Sequence, residues 1–196
     1  MNNIELIKFA ESKLGVPYVY GMKGEVMTLA KYNSLKKTYG SLVWDSDKKK
    51  VNWVCVDCSG LISWATGKLR GSSQYKQMAK KVHPISTIDS APLGVAVWRQ
   101  GHIGIYTGNG EYIAADGSAH GVRRNKLAKT NFTHWFEICD IEYVEEDAMK
   151  RYKTVDELPA WAKPTIQKLV NEKKIADANN IDLSEDMVRV LVIMNR

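Results

Sequence analysis

Hydrophobic residues at helical spacing open the chain. Four apolar positions recur three or four residues apart, which is the spacing of one helix face: Ile4, Ile7, Ala10 and Leu14. Asn3 directly precedes them as a candidate N-cap, and Gly15 followed by Pro17 ends the pattern. The sequence therefore predicts an opening helix of about three turns.

A second helix is predicted directly after a short apolar segment that ends at Val56. Asp57 is a suitable N-cap, and Gly67 weakens the far end. The apolar stripe between them consists of Leu61, Ile62, Ala65 and Leu69. Cys58 then lies in the first helical turn. The preceding residues 22–56 are basic and rich in turn residues, and we interpret them as an insertion of mixed helix and loop near the functional site.

The pattern changes to alternating hydrophobic and polar positions after Leu93. It predicts four strands, at residues 95–99, 102–107, 111–116 and 137–144. Asn109 and Gly110 form a typical hairpin turn between the second and third of these strands. Helices followed by an antiparallel sheet define an α+β fold class.

The end of the chain predicts a small helical module. Residues 146–153 are charged and are interpreted as a linker, which divides the chain into residues 1–145 and 154–196. Two helical stripes follow: Ala162, Ile166, Leu169 and Val170, then Met187, Val190, Leu191 and Met194. Ser184 is a candidate N-cap for the second helix, and Pro164 is tolerated in the first turn of the other.

Composition restricts the class of protein. With 196 residues, 44% hydrophobic and 26% charged, the chain fits one globular domain with a small appendage and excludes disorder, collagen and coiled coil. No apolar run is long enough for a membrane span, and Met1 to Glu5 lack the features of an export signal. We therefore expect synthesis in the cytoplasm without a signal peptide.

The net charge of +6 suggests an anionic partner. Residues 154–196 contain six Lys and Arg against seven Asp and Glu, so the basic character belongs to the larger part of the chain. The tryptophans lack the interleaved basic and aromatic pattern that favours nucleic acid, and we expect no nucleic-acid partner. The four histidines lack metal-ligand spacing, so no metal site is expected.

Cysteine and histidine are the candidate chemical groups. Three cysteines are too few for a disulfide framework. Cys58 is predicted at a helix N-terminus, where the helix dipole and the unpaired backbone N–H groups favour a thiolate. The same N–H groups can help form an oxyanion hole. His102, between Gly101 and Gly104, is the best placed general base. Two alternatives remain open at this point: a small buried hydrophobe, or a redox or metal pair with Cys55. Cys139 is interpreted as a core residue of a late strand.

Three sequence blocks, residues 14–21, 57–62 and 101–110, together resemble the NlpC-type cell-wall cysteine peptidases. They read LGVPYVYG, DCSGLI and GHIGIYTGNG, and they occur in the order found in that family. The resemblance covers about residues 4–144 and implies a papain-like fold with helices packed on an antiparallel sheet.

The resemblance also implies roles for five side chains. Cys58 is the expected nucleophile and His102 the expected general base. Tyr18 matches a tyrosine that lines the active site, where its hydroxyl could bind the substrate or the oxyanion, although simple aromatic packing is an alternative. Asp57 is interpreted as a helix cap and possible ligand for a substrate ammonium group, and Ser59 as a supporting residue that also contacts substrate.

The family's third catalytic residue orients the histidine and usually lies twelve positions after it, which here is Ala114. Alanine cannot hold an imidazole. A three-residue hairpin loop would place Asp116 opposite His102, whereas a two-residue turn would pair His102 with Gly117. Asp116 is therefore the leading candidate for the orienting residue.

The function that the resemblance implies is hydrolysis of an amide bond in the peptidoglycan stem peptide. The expected bond is the one between γ-D-glutamate and the diamino acid, and no metal or organic cofactor is expected. Without an export signal, the chain resembles a phage or prophage lysin that reaches the wall through a holin or within a particle. Two alternatives remain: a papain-like amidase or acyltransferase toxin, and a catalytically degenerate wall-binding protein.

The C-terminal module resembles that of clostridial and phage wall amidases. It could bind a wall polymer or a protein partner, or it could only complete the fold.

Overall fold

The computed structural model of the chain describes residues 1–144, 151–175 and 177–195. The chain divides into two compact units, Met1–Val144 and Glu145–Arg196. The first unit contains helices and a largely antiparallel sheet, which confirms the predicted α+β class.

The helices and strands of the first unit have the following bounds. The helices are α1 (Asn3–Ser12), α2 (Leu29–Tyr39), α3 (Cys58–Thr66) and α4 (Ser72–Gln77). The strands are β1 (Lys23–Val26), β2 (Val54–Val56), β3 (His83–Pro84), β4 (Ala96–Arg99), β5 (His102–Gly108), β6 (Glu111–Ala115), β7 (Val122–Lys126) and β8 (His134–Phe136).

A six-stranded antiparallel sheet with the order β3-β8-β4-β5-β6-β7 is the centre of this unit. Helices α1 and α3 pack on the sheet, and the core between them includes Leu6, Ile62, Ile103 and Phe136, all fully buried. Strands β1 and β2 form a separate antiparallel pair. Helix α3 contacts β5, and its first residue, Cys58, lies near the backbone N–H of Ile103 in that strand.

The predicted start of α1 is wrong by one residue. Asn2, not Asn3, is the N-cap: its side chain accepts from the Glu5 backbone N–H, and the Glu5 carboxylate accepts from the Asn2 N–H. Asn3 is buried instead, and its side-chain amide donates to the carbonyls of Leu93 and Val144. Helix α3 has the predicted caps, with the Asp57 carboxylate at its start and Gly67 in the left-handed region at φ 70°. Leu69, which the predicted apolar stripe included, lies beyond Gly67 and is exposed, so that part of the prediction is wrong.

The strand predicted at residues 137–144 is wrong. The strand lies earlier, at β8, and Ile138 and Ile141 are buried through a turn in which the Ile141 N–H donates to the Ile138 carbonyl. Cys139 lies in this turn and is exposed, so the interpretation of Cys139 as a core residue is also wrong. Strand β7 was not predicted, because only Val122 in it is apolar and the alternation signal is missing.

The hairpin between β5 and β6 contains a register shift that sets the position of Asp116. Ile105 pairs with Ile113, and Tyr106 with Tyr112, but the pairing shifts to Gly108 with Glu111 at the tip. The tip is therefore a two-residue turn followed by a bulge, with Gly108 at φ 90°. Between the bulge and His102, the strands follow the register predicted for a three-residue loop, which is the register that places Asp116 opposite His102.

The insertion has a core of its own, formed by residues that include Met27, Tyr32, Leu35 and Val43. Asp47 connects the insertion to the rest of this unit. Its side chain is fully buried and accepts from the Lys50 ammonium at 2.6 Å and the Ser118 hydroxyl at 3.0 Å. The Lys50 ammonium also donates to the carbonyls of Tyr18 and Ser118. This ion pair connects the insertion to Tyr18 and to the loop that follows β6.

Replacing Asp47 by alanine is expected to lower the free energy of unfolding by about 3 kcal/mol, because Lys50 loses its buried counter-ion. Urea denaturation followed by circular dichroism measures the change. Asp45→Ala is the matched control: Asp45 lies in the same segment with a side chain 92% exposed, so the unfolding midpoint should hardly change. Equal destabilisation by the two variants would contradict the anchoring role of Asp47.

The described residues of the second unit form two short strands and two helices. Strand β9 (Arg151–Tyr152) pairs with β10 (Leu183–Ser184), and the helices are α5 (Lys163–Asn171) and α6 (Glu185–Met194). The core includes Leu158, Ile166, Leu169, Val188 and Val192. Residues 151–153, which the sequence assigned to the linker, belong to this unit, and residues 145–150 lie outside the described part of the chain.

Both predicted C-terminal helices are present, but the predicted stripe of α6 has the wrong phase. Val188 and Val192 are buried, whereas Met187, Val190 and Met194 are exposed. Because this helix is apolar on most of its surface, the sequence carries two possible stripes and periodicity does not choose between them. Ser184 caps the helix as predicted, since its hydroxyl accepts from the Met187 N–H.

Candidate active site

Cys58 is the first residue of α3 and lies against the start of β5. Its thiol is near the backbone N–H of Ile103, the residue after His102, and the Cys58 residue is 7% exposed. The chain therefore brings the cysteine and the histidine, which are 44 positions apart in sequence, to neighbouring elements. Cys55, by contrast, lies in β2, where its thiol contacts the carbonyl of Trp53.

Burial, reinforced by the neighbouring Asp57 carboxylate, raises the pKa of the Cys58 thiol to about 11. The N–H groups of Ile103 and Ser59 act in the opposite direction but do not outweigh burial. The helix start therefore favours the thiolate as expected, but burial outweighs this effect in the free protein. At neutral pH the resting group is the thiol, and a nucleophilic reaction requires a base to take its proton.

The alkylation rate of Cys58 by iodoacetamide should rise about tenfold for each pH unit between pH 7 and pH 10, because the raised pKa keeps the thiolate fraction small over that range. Peptide mapping by mass spectrometry follows Cys58 separately, and exposed Cys139 reports on the reagent in the same molecule. A rate for Cys58 that is already constant above pH 7 would contradict a neutral resting thiol.

His102 is held at the start of β5 by two contacts. Its Nε2 lies 3.0 Å from Asp116 Oδ1, and its ring stacks on Phe132 with ring centroids 5.6 Å apart. Among the described residues, the other ring nitrogen, Nδ1, has no hydrogen-bond partner. An imidazole held at Nε2 by a carboxylate has Nδ1 available to accept a proton.

Asp116 is the centre of a polar network behind His102. Its side chain is 6% exposed, and Oδ2 accepts from Arg123 Nε at 2.9 Å, the Tyr112 hydroxyl at 3.3 Å and the Asn125 side-chain amide. Burial opposes the charged carboxylate, but the hydrogen bonds from His102 and Arg123 lower its pKa below the ordinary value. The group that faces His102 is therefore an ionised carboxylate at neutral pH.

Ala114, at the family's usual third position, is fully buried and packs with residues that include Tyr112 and Phe132. Asp116 is the first residue after β6 and lies two positions beyond Ala114. The carboxylate beside His102 thus comes from a position further along the chain than in the family pattern.

Tyr18 precedes the insertion and is half-buried beside the cysteine. Burial, followed by the nearby Cys58 and Asp57, raises the pKa of its phenol above the ordinary value. The hydroxyl is therefore a neutral hydrogen-bond donor at physiological pH. The backbone carbonyl of Tyr18 accepts from the Lys50 ammonium at 2.7 Å, so the insertion fixes the segment that carries Tyr18.

Asp57 and Ser59 flank the nucleophile, and the structure gives them a partner that the sequence analysis missed. The Lys23 ammonium lies 2.8 Å from both carboxylate oxygens of Asp57 and 2.9 Å from the Ser59 hydroxyl. Ser59 also donates to Asp57 at 3.0 Å. The acidic group predicted to bind a substrate ammonium is therefore already paired with an ammonium from the chain itself.

Two concave surfaces meet at Tyr20 and Gly101. One, with a volume of about 460 Å³, contains Tyr18, His102 and Asp116 and also receives Ser41, Leu42 and Trp44 from the insertion. The other, about 350 Å³, contains the site residues Lys23, Asp57, Cys58 and Ser59. The predicted site residues therefore line two adjoining surfaces, here together called the cleft, and the insertion contributes residues to both of them.

The part of the cleft beside His102 is cationic. Arg99 and Lys129 line it, and within the described ranges neither side chain has an acidic partner. Arg123, also at this surface, pairs with Asp116. Unpaired cations in a cleft favour ligands that carry carboxylates.

Sequence reasoning missed the residues that support the site, namely Lys23, Phe132, Arg123 and Asn125. Lys23 is one of many lysines in a basic segment, and only its strand pairing distinguishes it. Arg123 and Asn125 alternate along β7 and so share a face, but this signal required that the strand be recognised.

In the described ranges, no cluster of three or more candidate metal ligands is found. Within the same ranges, no helix has the length and apolar character needed to span a membrane.

The chain belongs to the NlpC/P60 family, which residues 15–139 match. The family match confirms the resemblance of the three sequence blocks, and with the observed architecture it confirms the predicted papain-like fold. This family is the class of protein to which the sequence and the fold assign the chain.

Solved structures similar to this chain include two from mycobacteria. The peptidoglycan hydrolase RipB from Mycobacterium tuberculosis is 28% identical, with a TM-score of 0.49, over 72% of this chain and 65% of that chain. The P60 domain of an antigen from Mycobacterium avium subspecies paratuberculosis is 26% identical, with a TM-score of 0.48, over 72% of this chain and 96% of that domain. The match thus spans less than two thirds of RipB.

A third similar structure is RipD from Mycobacterium tuberculosis, described as a non-catalytic NlpC/P60 protein adapted to peptidoglycan binding. It is 20% identical, with a TM-score of 0.44, over 69% of this chain and 95% of that chain. A search of curated proteins gave no significant match.

Proposed function

We propose that this chain is a cysteine peptidase that hydrolyses an amide bond in the peptidoglycan stem peptide, with Cys58 as nucleophile, His102 as general base and Asp116 as the residue that orients His102. The observation that carries the proposal is the pairing of His102 Nε2 with Asp116 at 3.0 Å, with Nδ1 free of partners in the described chain. This arrangement supports proton transfer from a thiol on the neighbouring α3.

The proposed reaction has two steps. His102 Nδ1 takes the proton of Cys58 as the sulfur attacks the amide carbonyl, and the protonated imidazole then gives that proton to the leaving amine as the C–N bond breaks. In this proposal the backbone N–H of Cys58, which begins a helix, and the Tyr18 hydroxyl donate to the developing oxyanion. Water activated by His102 hydrolyses the thioester and regenerates the thiol.

The substrate class follows from the family and from the charge of the cleft. Stem peptides carry free carboxylates, and Arg99 and Lys129 offer unpaired cations beside His102. We propose the bond between γ-D-glutamate and the diamino acid as the site of cleavage. Delivery to the wall in the manner of a phage lysin, and wall targeting by the second unit, stay predictions.

A synthetic stem tetrapeptide tests the proposed bond. Liquid chromatography with mass spectrometry should detect one new peptide that ends in D-glutamate and one that begins with the diamino acid. A matched peptide with an α-linked glutamate in place of the γ-linked D-glutamate is the control, and it should be cleaved much more slowly. Cleavage at another bond, or equal cleavage of the two peptides, would contradict the proposed specificity.

A further inference from the structure

The ammonium group of Lys23 is paired with Asp57, the residue before Cys58 that the sequence resemblance implies as a ligand for a substrate ammonium group. The Asp57 carboxylate is 7% exposed, and the Lys23 side chain is 24% exposed. Lys23 Nζ contacts both oxygens of Asp57 at 2.8 Å and the hydroxyl of Ser59 at 2.9 Å. The three side chains line the same part of the cleft as Cys58.

The hydrogen-bonding capacity of Asp57 is already filled. Oδ1 accepts from the Gly60 N–H, the Ser59 hydroxyl and Lys23, and Oδ2 accepts from the Gly21 N–H and Lys23. A carboxylate offers about four lone-pair positions. An incoming ammonium group would therefore find no free acceptor on Asp57 and would lie next to the positive charge of Lys23.

The backbone holds Lys23 in this position. Lys23 is opposite Val56 in the β1–β2 pair, and the Asp57 N–H donates to the Met22 carbonyl at 2.8 Å. The next residue, Gly24, has φ 100° and lies so close to Trp64 of α3 that a Cβ would be 2.2 Å from the ring. Strand β1 is thus packed tightly on α3, and Lys23 cannot leave Asp57 by a simple shift of the strand.

Among the described residues, the rest of this surface offers no free acidic group to an amine. Ser72, Gln74 and Arg70, which is paired with Asp140, are the remaining polar side chains, while Tyr20, Tyr39 and Leu69 provide aromatic and aliphatic contacts. An acylated amine has no positive charge and can pack against such side chains without competing for Asp57.

We propose that Lys23 is a specificity-determining residue that excludes stem peptides with a free amino terminus and selects those whose amino terminus is acylated, as in a stem still joined to its glycan. This inference rests on the proposed function. A role for Lys23 that is only structural would neutralise Asp57 without affecting the choice between the two substrates.

Two synthetic stem tripeptides that differ only in an acetylated or free amino terminus test the inference. The wild type should cleave the acetylated peptide with a kcat/KM at least about tenfold higher, and Lys23→Met should lower this ratio at least about tenfold, because Asp57 is then unpaired. Lys23→Arg keeps the charge and should keep the wild-type ratio. Lys31→Met, in the same insertion with an exposed ion pair to Glu25, is the matched control and should not change the ratio.

Equal ratios in the wild type and Lys23→Met, or a wild-type preference for the free amine, would overturn the role of Lys23. A binding measurement separates this outcome from a failure of the proposed hydrolysis. Calorimetry on Cys58→Ala should show tighter binding of the acetylated peptide than of the free amine. Adding Lys23→Met should reduce this difference in affinity, even if no hydrolysis occurs. Equal affinities, or no binding of either peptide, would contradict the assignment of this subsite.

Discussion

Replacing Cys58 by alanine is expected to lower kcat on a soluble stem peptide by at least about 10³-fold, because no other group in the cleft can form the thioester. The thiol lies at the start of α3 near the Ile103 N–H, and alanine fills most of its volume without a new polar group. The fold should remain intact, which circular dichroism and the unfolding midpoint can establish. The rate of peptide cleavage, followed by chromatography, measures the loss.

Cys55→Ala is the matched control for this experiment. Cys55 is also buried, its thiol pKa is also raised to about 11 by burial, and it is three residues from Cys58. Its side chain faces the insertion rather than the cleft, so most of the activity should remain. Similar losses in the two variants would support a redox or metal pair and contradict the assignment of a single nucleophile.

Asp116→Asn is expected to lower kcat by about 10³- to 10⁴-fold with little change in KM, by analogy with the loss of the orienting carboxylate in other catalytic triads. Asparagine fits the same space, but its amide can turn its N–H groups toward His102 and favour the tautomer that has a proton on Nδ1. Such a histidine cannot accept the proton of Cys58. Steady-state kinetics on the soluble stem peptide separates kcat from KM.

Asp89→Asn removes an exposed carboxylate outside the cleft and should leave both constants unchanged. If Asp116→Asn retained near-normal turnover, the Cys58 and His102 pair would work without an orienting carboxylate. The network from Arg123, Tyr112 and Asn125 would then serve only to stabilise the hairpin.

Local signals predicted the parts of the site that depend on neighbouring residues. The run from Asp57 to Gly67 contains its own cap, most of its predicted apolar stripe and its terminating glycine, so α3 and the place of Cys58 within it could be derived from the sequence. The strand that begins at His102 was equally clear. These elements carry the two residues proposed to react.

Contacts between distant segments could not be predicted. The register that brings Asp116 to His102 depends on a bulge at Gly108, and the sequence allowed either register. Lys23 reaches Asp57 only because β1 pairs with β2, across a segment whose composition gave no strand signal. The buried face of α6 was missed for a related reason, since packing within the second unit selects one of two apolar stripes.

Digestion of purified peptidoglycan by the wild type and by Cys58→Ala, with mass spectrometry of the released fragments, tests the proposed activity most directly. The wild type is expected to release soluble fragments whose stem peptides end in D-glutamate, together with fragments that begin with the diamino acid, and Cys58→Ala is expected to release neither. Intact stem peptides after treatment with the wild type, or the same fragments from both proteins, would contradict the account.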